Sequence, residues 1–226
     1  MSFFQPAFTE YFAQLSENNS TLWFDQNRKW YEREVKIPFQ DFVDELIIQL
    51  RMIDNDIQIE PSEAIFRINN DIRYTKEKIP YKTWMSANIS AMGKRMKEYP
   101  GFFIQANHEH LILAGGVYNP EKDSLYQIRQ QIAHDPDAFI QAVRNPEFLD
   151  RFGGLRGDQH IQLAPEFKEL INRIPEITFK QFHFRIELDP SYLLHPNLPK
   201  FIADYFRSAQ ALHHFLRRAY KIAMAA

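Results

Sequence analysis

The sequence contains no cysteine. That excludes disulfide staples, thiolate metal sites and cysteine nucleophiles, and it agrees with a reducing compartment. Glycine is scarce, at seven residues in 226, and its spacing matches neither the dinucleotide-binding nor the P-loop fingerprint. No uninterrupted apolar run is long enough to span a bilayer, and Met1–Glu10 lacks the basic segment and apolar run of a secretory leader. The expectation is a cytoplasmic chain with no membrane partner. No stretch reads as a linker, a repeat or a low-complexity segment, so a single domain over residues 1–226 is expected.

What the sequence has in quantity is rings and prolines. Twenty Phe, ten Tyr and three Trp predict a core built from aromatic side chains, and thirteen Pro predict many sharply bounded elements. Hydrophobic residues at 45% supply apolar mass enough for a core without covalent staples.

The clearest periodicity is Phe39, Phe42, Val43, Leu46, Ile47 and Leu50, the stripe of a half-buried helix. A helix from Pro6 to about Asn18 precedes it, then one from Thr21 to Lys36 that Pro38 should end, because the residue before proline is pushed out of helical geometry. Strand-like runs follow at Ala64–Ile68, Trp84–Ala91, Gly101–Ala106 and Leu111–Val117, with a hairpin turn at Asn107–His110. Ser124–His134, Pro136–Arg144 and the residues after Pro146 read as helices, Gly153-Gly154 as a loop, and Phe179–Leu188 as a further strand. A long helix over Leu198–Ala223, with Phe201, Ile202, Tyr205, Leu212, Phe215, Leu216 and Tyr220 inward, closes the chain. The fold class is α+β, a largely antiparallel or mixed sheet of about four to six strands packed with the N-terminal helices and a long C-terminal helix.

Charge is unevenly distributed. Between Arg67 and Lys97 stand eight basic residues (Arg67, Arg73, Lys76, Lys78, Lys82, Lys94, Arg95, Lys97) and two acidic ones (Asp71, Glu77), a balance of +6. The chain total is −2, so the remainder carries −8. Five of these cations crowd into Arg67–Lys82, where mutual repulsion calls for partner carboxylates or an external anion. Two readings follow. In one, Arg67, Arg73, Lys78 and Lys82 bind a small phosphorylated or otherwise anionic ligand, Asp71 orienting an arginine and Tyr81 packing against the ligand. In the other, Arg67 and Arg73 pair with Asp71, Glu77 or distant acids and the lysines are solvated. Tyr74 and Tyr81 either stack on a ligand or pack in the fold.

The same loop also suits docking onto an acidic protein partner, with Arg73 or Tyr81 as anchors. Nucleic acid is disfavoured by the net negative charge. Gly115-Gly116 precede a predicted helix, where their amides either face an anion or allow close strand packing, the commoner use. Arg129, on that helix, reaches the same pocket or pairs with a surface carboxylate. No metal site is expected: His108 and His110 have no third ligand at familiar spacing, and His213-His214 diverge on a helix. His183 reads as a base or, more commonly, a satisfied sheet histidine. No nucleophile motif and no cofactor signature is present.

Asp71, Arg73, Lys78, Pro80, Tyr81 and Lys82 together resemble the hallmark of the domain of unknown function 2461 family, a strand followed by Arg-Asp-x-Arg-Phe-Ser-x-Asp-Lys-x-Pro-Tyr-Lys. Asn18-Asn19, Trp23-Phe24, Arg28, Gly115–Pro120 and Ile128-Arg129 extend the resemblance along much of the chain. Asn70 stands where the family usually has arginine, Tyr74 for phenylalanine and Ile79 for threonine, and the region after Pro175 lacks the usual Lys-Gly pair. The resemblance implies a fold and a location for the site, and no known reaction; with Asn70, an anion site there has one cation fewer.

Overall fold

A computed structural model of the chain describes residues 2–73, 76–96, 98–160 and 162–225, with backbone alone for 221–225. Tyr74 and Lys97 lie outside the described residues. In chain order the elements are α1 (Pro6–Glu17), α2 (Thr21–Gln26), α3 (Arg28–Trp30), a π-helical turn (Tyr31–Lys36), α4 (Ile37–Arg51), α5 (Pro61–Ala64), β1 (Met85–Ile89), β2 (Gly101–Ala106), β3 (Leu111–Val117), α6 (Lys122–His134), α7 (Pro136–Val143), α8 (Pro146–Phe152), β4 (Phe182–Leu188), α9 (Leu198–Ser208) and α10 (Gln210–Ala225). Three 3-10 turns, Pro165–Leu170, Pro175–Thr178 and Pro190–Leu194, complete the list. The fold is α+β, with one antiparallel sheet in the order β1-β2-β3-β4. No helix among the described residues is long and apolar enough to cross a membrane.

The prolines explain the segmentation. Each of α1, α4, α5, α7 and α8 carries proline in its first turn, where the missing N–H has no helical partner to lose. Side-chain caps from Ser20, Asp135 and Asn145 accept the free amides of Trp23, Ala138 and Phe148.

Three elements differ from the sequence expectation. Pro38 does not end a helix: the backbone stays helical through Lys36 and Ile37 because the Ile37 amide bonds to Glu32 O, five residues back. That wider turn brings the chain into α4 with Pro38 in its first turn. The run Ala64–Ile68 is not a ladder strand, since Ala64 ends α5, and the residues beyond make isolated bridges, Ile65 with Ala87 and Asn69 with Tyr81. The C-terminal helix is broken at Ala209, whose amide turns back to Phe206 O at 3.0 Å. The face buried in α9 is therefore Leu198, Ile202, Ala203 and Phe206, while Phe201 and Tyr205 are half-exposed.

The chain packs as two compact units. The first comprises Met1–Lys94, Phe103–Leu113 and Glu187–Ala203, the second Arg95–Phe102, Ala114–Ile186 and Asp204–Ala226. In the first unit the predicted α4 stripe is buried throughout and meets Phe4, Phe8 and Phe12 in a ring cluster, Phe4 lying 4.5 Å from Phe8 and 5.3 Å from Phe42. Each fully buried phenylalanine contributes roughly 1.5–3 kcal/mol. In the second unit α10 packs on α6 and α7, and Phe102 lies between Phe206 at 4.7 Å and the stacked His213 ring at 4.5 Å. Burial holds His213 neutral, its pKa pushed down to about 3.

Gly115 and Gly116 serve close packing. Gly116 sits at φ +90°, where an added Cβ would stand 2.2 Å from Phe182 O, and one on Gly115 would strike the Phe184 ring. Gly116→Ala should therefore cost roughly 2–4 kcal/mol, read as a lower urea midpoint; an unchanged midpoint would refute this account of the contact. Tyr11 presents the opposite case. Its residue is fully buried among Phe12, Trp23, Trp30 and Tyr31, yet its hydroxyl has no hydrogen-bond partner among the described residues. Removing an unsatisfied buried hydroxyl relieves a desolvation cost, so Tyr11→Phe is expected to raise the melting temperature by the equivalent of about 1 kcal/mol. A drop would mean that the hydroxyl is satisfied in solution.

Candidate functional site

The basic loop leaves α5 and returns to β1 as two loosely paired arms. Phe66 N donates to Ser86 O at 2.9 Å, Lys82 N to Ile68 O at 2.8 Å, and Asn70 N to Pro80 O at 2.9 Å. Asn70, at the position of the family's usual arginine, closes the arm further through its side-chain amide, which donates to Ile79 O at 3.1 Å. The base of the loop is fastened from the α1–α2 connection and from α2. Asn19 brackets Tyr81, its amide donating to Tyr81 O at 2.8 Å while its Oδ1 accepts from Tyr81 N at 3.2 Å. The Tyr81 ring is buried and stacks on Phe24 at 4.0 Å between centroids and 12° between planes.

Two of the loop's five cations bond to backbone carbonyls and one to a carboxylate. Lys78 Nζ donates to Ile72 O at 2.7 Å, and Lys82 Nζ to Arg67 O at 2.8 Å while lying 5.8 Å from the centroid of the Phe66 ring. Lys94 donates to Ser62 O and Ile65 O. Arg73 forks onto Asp71, Nε to Oδ1 at 2.9 Å and Nη2 to Oδ2 at 2.6 Å, and its backbone amide reaches Asp71 Oδ1 at 3.3 Å. These donors, the Arg73 side chain first, hold the Asp71 carboxyl well below the usual carboxylate range. Carbonyl oxygens thus share with Asp71 in holding the crowded cations, partners that a count of acids and bases leaves out. Arg67 and Lys76 are exposed, and their side chains make no hydrogen bond among the described residues.

Arg129 belongs to the second unit and is buried there, at 8% exposure. It donates to the carbonyls of Ile177 and Phe179 and to His160, so neither of its sequence readings describes its hydrogen bonds. His183 lies on β4, and its backbone pairs with that of Arg156 in an antiparallel bridge. His110 lies 3.6 Å from Glu187 and 3.3 Å from the Gln105 amide. Among the described residues no three His, Asp or Glu side chains gather in an arrangement that would hold a metal ion. His160 was not singled out from sequence, since nothing in local spacing relates it to an arginine 31 positions earlier.

Asp71 is the loop's clearest titration probe. Its folded-state pKa is depressed, so its stabilising effect is complete above the unfolded value of about 3.9 and fades only as pH falls through the lower folded value. The Arg73 fork should therefore survive acidification to about pH 4, checked by carboxyl 13C titration of Asp71. A midpoint at the unperturbed position would show that the fork is not held in solution.

The family model for the conserved hypothetical protein DUF2461 matches residues 7–215. A comparison with curated proteins gives no match. The matched span runs from α1 into α10 and takes in the basic loop, the glycine pair and Arg129, so this chain belongs to the DUF2461 family.

Proposed function

We propose that the loop Arg67–Lys82 is an anion-recognition element for a small phosphorylated or otherwise anionic ligand, held in a cytoplasmic protein. The observation that carries this reading is Arg67, an exposed guanidinium that makes no side-chain hydrogen bond among the described residues and stands within electrostatic reach of Asp71. A guanidinium offers two parallel donors to phosphate or carboxylate oxygens. Lys78 and Lys82 each give one N–H to a carbonyl, which fixes the position of their ammonium charges in the same loop. Arg73 joins by exchanging Asp71 for the ligand, a like-for-like replacement of one oxyanion by another. Asn19 and Phe24 hold Tyr81 and so set the base from which the loop presents its charges. No residue of the loop is assigned a nucleophilic role.

A second reading is docking onto an acidic surface of a protein partner. It is favoured by the exposure of the Arg73 side chain, 72%, which suits a flat contact better than an enclosed one.

A thermal-shift screen of phosphate, sulfate, nucleotides and sugar phosphates separates the two. A ligand present at a hundred times its dissociation constant stabilises by about 2.7 kcal/mol, and the rise should disappear in Arg67→Ala, a substitution that removes no hydrogen bond of the fold. A shift that persists in Arg67→Ala places the ligand elsewhere. Absence of any shift, with the variant equally stable, favours the protein-docking reading.

A further inference from the structure

Charges taken out of water are normally paired with an opposite charge, because an unpaired buried ion costs several kcal/mol. Arg129 on α6 departs from this. It is 8% exposed, arginine stays charged in proteins, and among the described residues no carboxylate pairs with it. Its Nε donates to Ile177 O at 3.0 Å, and its Nη2 donates to Phe179 O at 3.0 Å and to His160 Nδ1 at 2.8 Å. Those bonds latch the 3-10 turn Pro175–Thr178 to α6 and leave both N–H groups of Nη1 without a hydrogen bond among the described residues.

The contact with His160 fixes that ring's tautomer. A guanidinium has no acceptor, so Nδ1 must be the bare nitrogen and the proton lies on Nε2, which makes no hydrogen bond among the described residues. Lys180 comes close to the same imidazole through backbone pairing. His160 N donates to Thr178 O, Gln159 bridges Phe179, and Lys180 N donates to Asp158 O. These backbone bonds bring Asp158, His160, Thr178 and Lys180 into one group, in which Lys180 acts on the imidazole electrostatically. The carboxylate in this group, Asp158, accepts from the Gln181 amide at 3.2 Å. Donors of Arg129 and His160 that make no hydrogen bond among the described residues, with Lys180 nearby, thus accompany a buried charge that has no carboxylate partner among those residues.

We propose that Arg129, His160 and Lys180 form an oxyanion site that takes a phosphate group, the Nη1 edge, the Nε2–H and the ammonium each donating to a different oxygen. A tetrahedral dianion supplies acceptors for three donors and neutralises the cation that the fold leaves unpaired. The site lies in the second unit and goes beyond the function proposed for the loop, which lies in the first. The electrostatics of the ligand-free site agree: burial, then Arg129, then Lys180, lowers the His160 pKa from its ordinary value. A bound dianion would reverse the contribution of the two cations.

The test is histidine 15N NMR on the full chain, titrated with inorganic phosphate at constant ionic strength. The expected spectrum shows His160 as the Nε2–H tautomer. The Nε2 resonance should move and saturate with phosphate, and the His160 pKa should rise. Lys180→Gln, an exposed position whose backbone bond is retained, should weaken binding about two- to fivefold, the worth of one solvent-exposed charge. Arg67→Ala should leave the titration unchanged, so failure of the loop reading would not touch this result. A His160 resonance in the Nδ1–H form, one unmoved by phosphate, or one moved equally by chloride would overturn the site and leave Arg129 as a latch for the turn alone.

Discussion

Carbonyl oxygens left over by irregular backbone are the constraint on which much of this structure depends, and the long cationic side chains satisfy many of them. Arg51 donates to Ile57 O, Lys78 to Ile72 O, Lys82 to Arg67 O, Lys94 to Ser62 O and Ile65 O, and Arg129 to Ile177 O and Phe179 O. Each of these carbonyls lies outside the four-stranded ladder, in a loop, a turn, the short α5 or an isolated bridge, where no strand amide is in register to meet it. A lysine or arginine supplies the donor without dictating backbone direction. The charge excess between Arg67 and Lys97 is therefore in large part scaffolding, and function has to be sought in the donors that scaffolding does not consume. Among the described residues that points to Arg67 in the first unit, and to Arg129 and His160 in the second.

Legibility in the sequence followed the range of the interactions. The α4 stripe, the β2 and β3 boundaries and the turn at Asn107–His110 are set by neighbours in sequence, and the structure has them where periodicity and turn chemistry put them. The misread elements answer to distant or compensating contacts. Pro38 is tolerated because a five-residue turn absorbs it, and no local propensity encodes that turn. Ala64–Ile68 has strand composition, but Pro61 and the capping pair Glu60–Glu63 commit its start to a helix. The break at Ala209 leaves no mark in a pattern that is amphipathic on both sides of it. The basic loop was visible as charge, whereas the Asn19–Tyr81 clasp spans 62 positions and the Arg129–His160 contact 31, beyond any spacing rule.

Asn70 shows how one substitution redistributes work within the family site. Arginine there would add a guanidinium to a segment already rich in cations. Asparagine instead spends its short amide on Ile79 O, tightening the arm beside the Asn70–Pro80 backbone bond. The loop carries one cation fewer than an arginine there would give it, and its arm is closed by a side-chain as well as a backbone hydrogen bond. Tyr81, by contrast, keeps the family residue in a packing role, its ring face covered by Phe24 and its backbone held at both polar atoms by Asn19.

The two proposed anion sites differ in dielectric as much as in position in the chain. Arg67 and Arg73 are exposed, where two unit charges 4 Å apart interact by about 1 kcal/mol in bulk water and salt screens them further over about 10 Å at 0.1 M. Arg129 has lost most of its water, so the same charge pair is worth several times more there, on the order of 4 kcal/mol at an effective dielectric of 20. An anion held by exposed cations alone is released readily as ionic strength rises. One held at a largely buried guanidinium is screened less by salt. Of the two proposed sites, the loop would therefore be the more sensitive to salt and the Arg129 site the less.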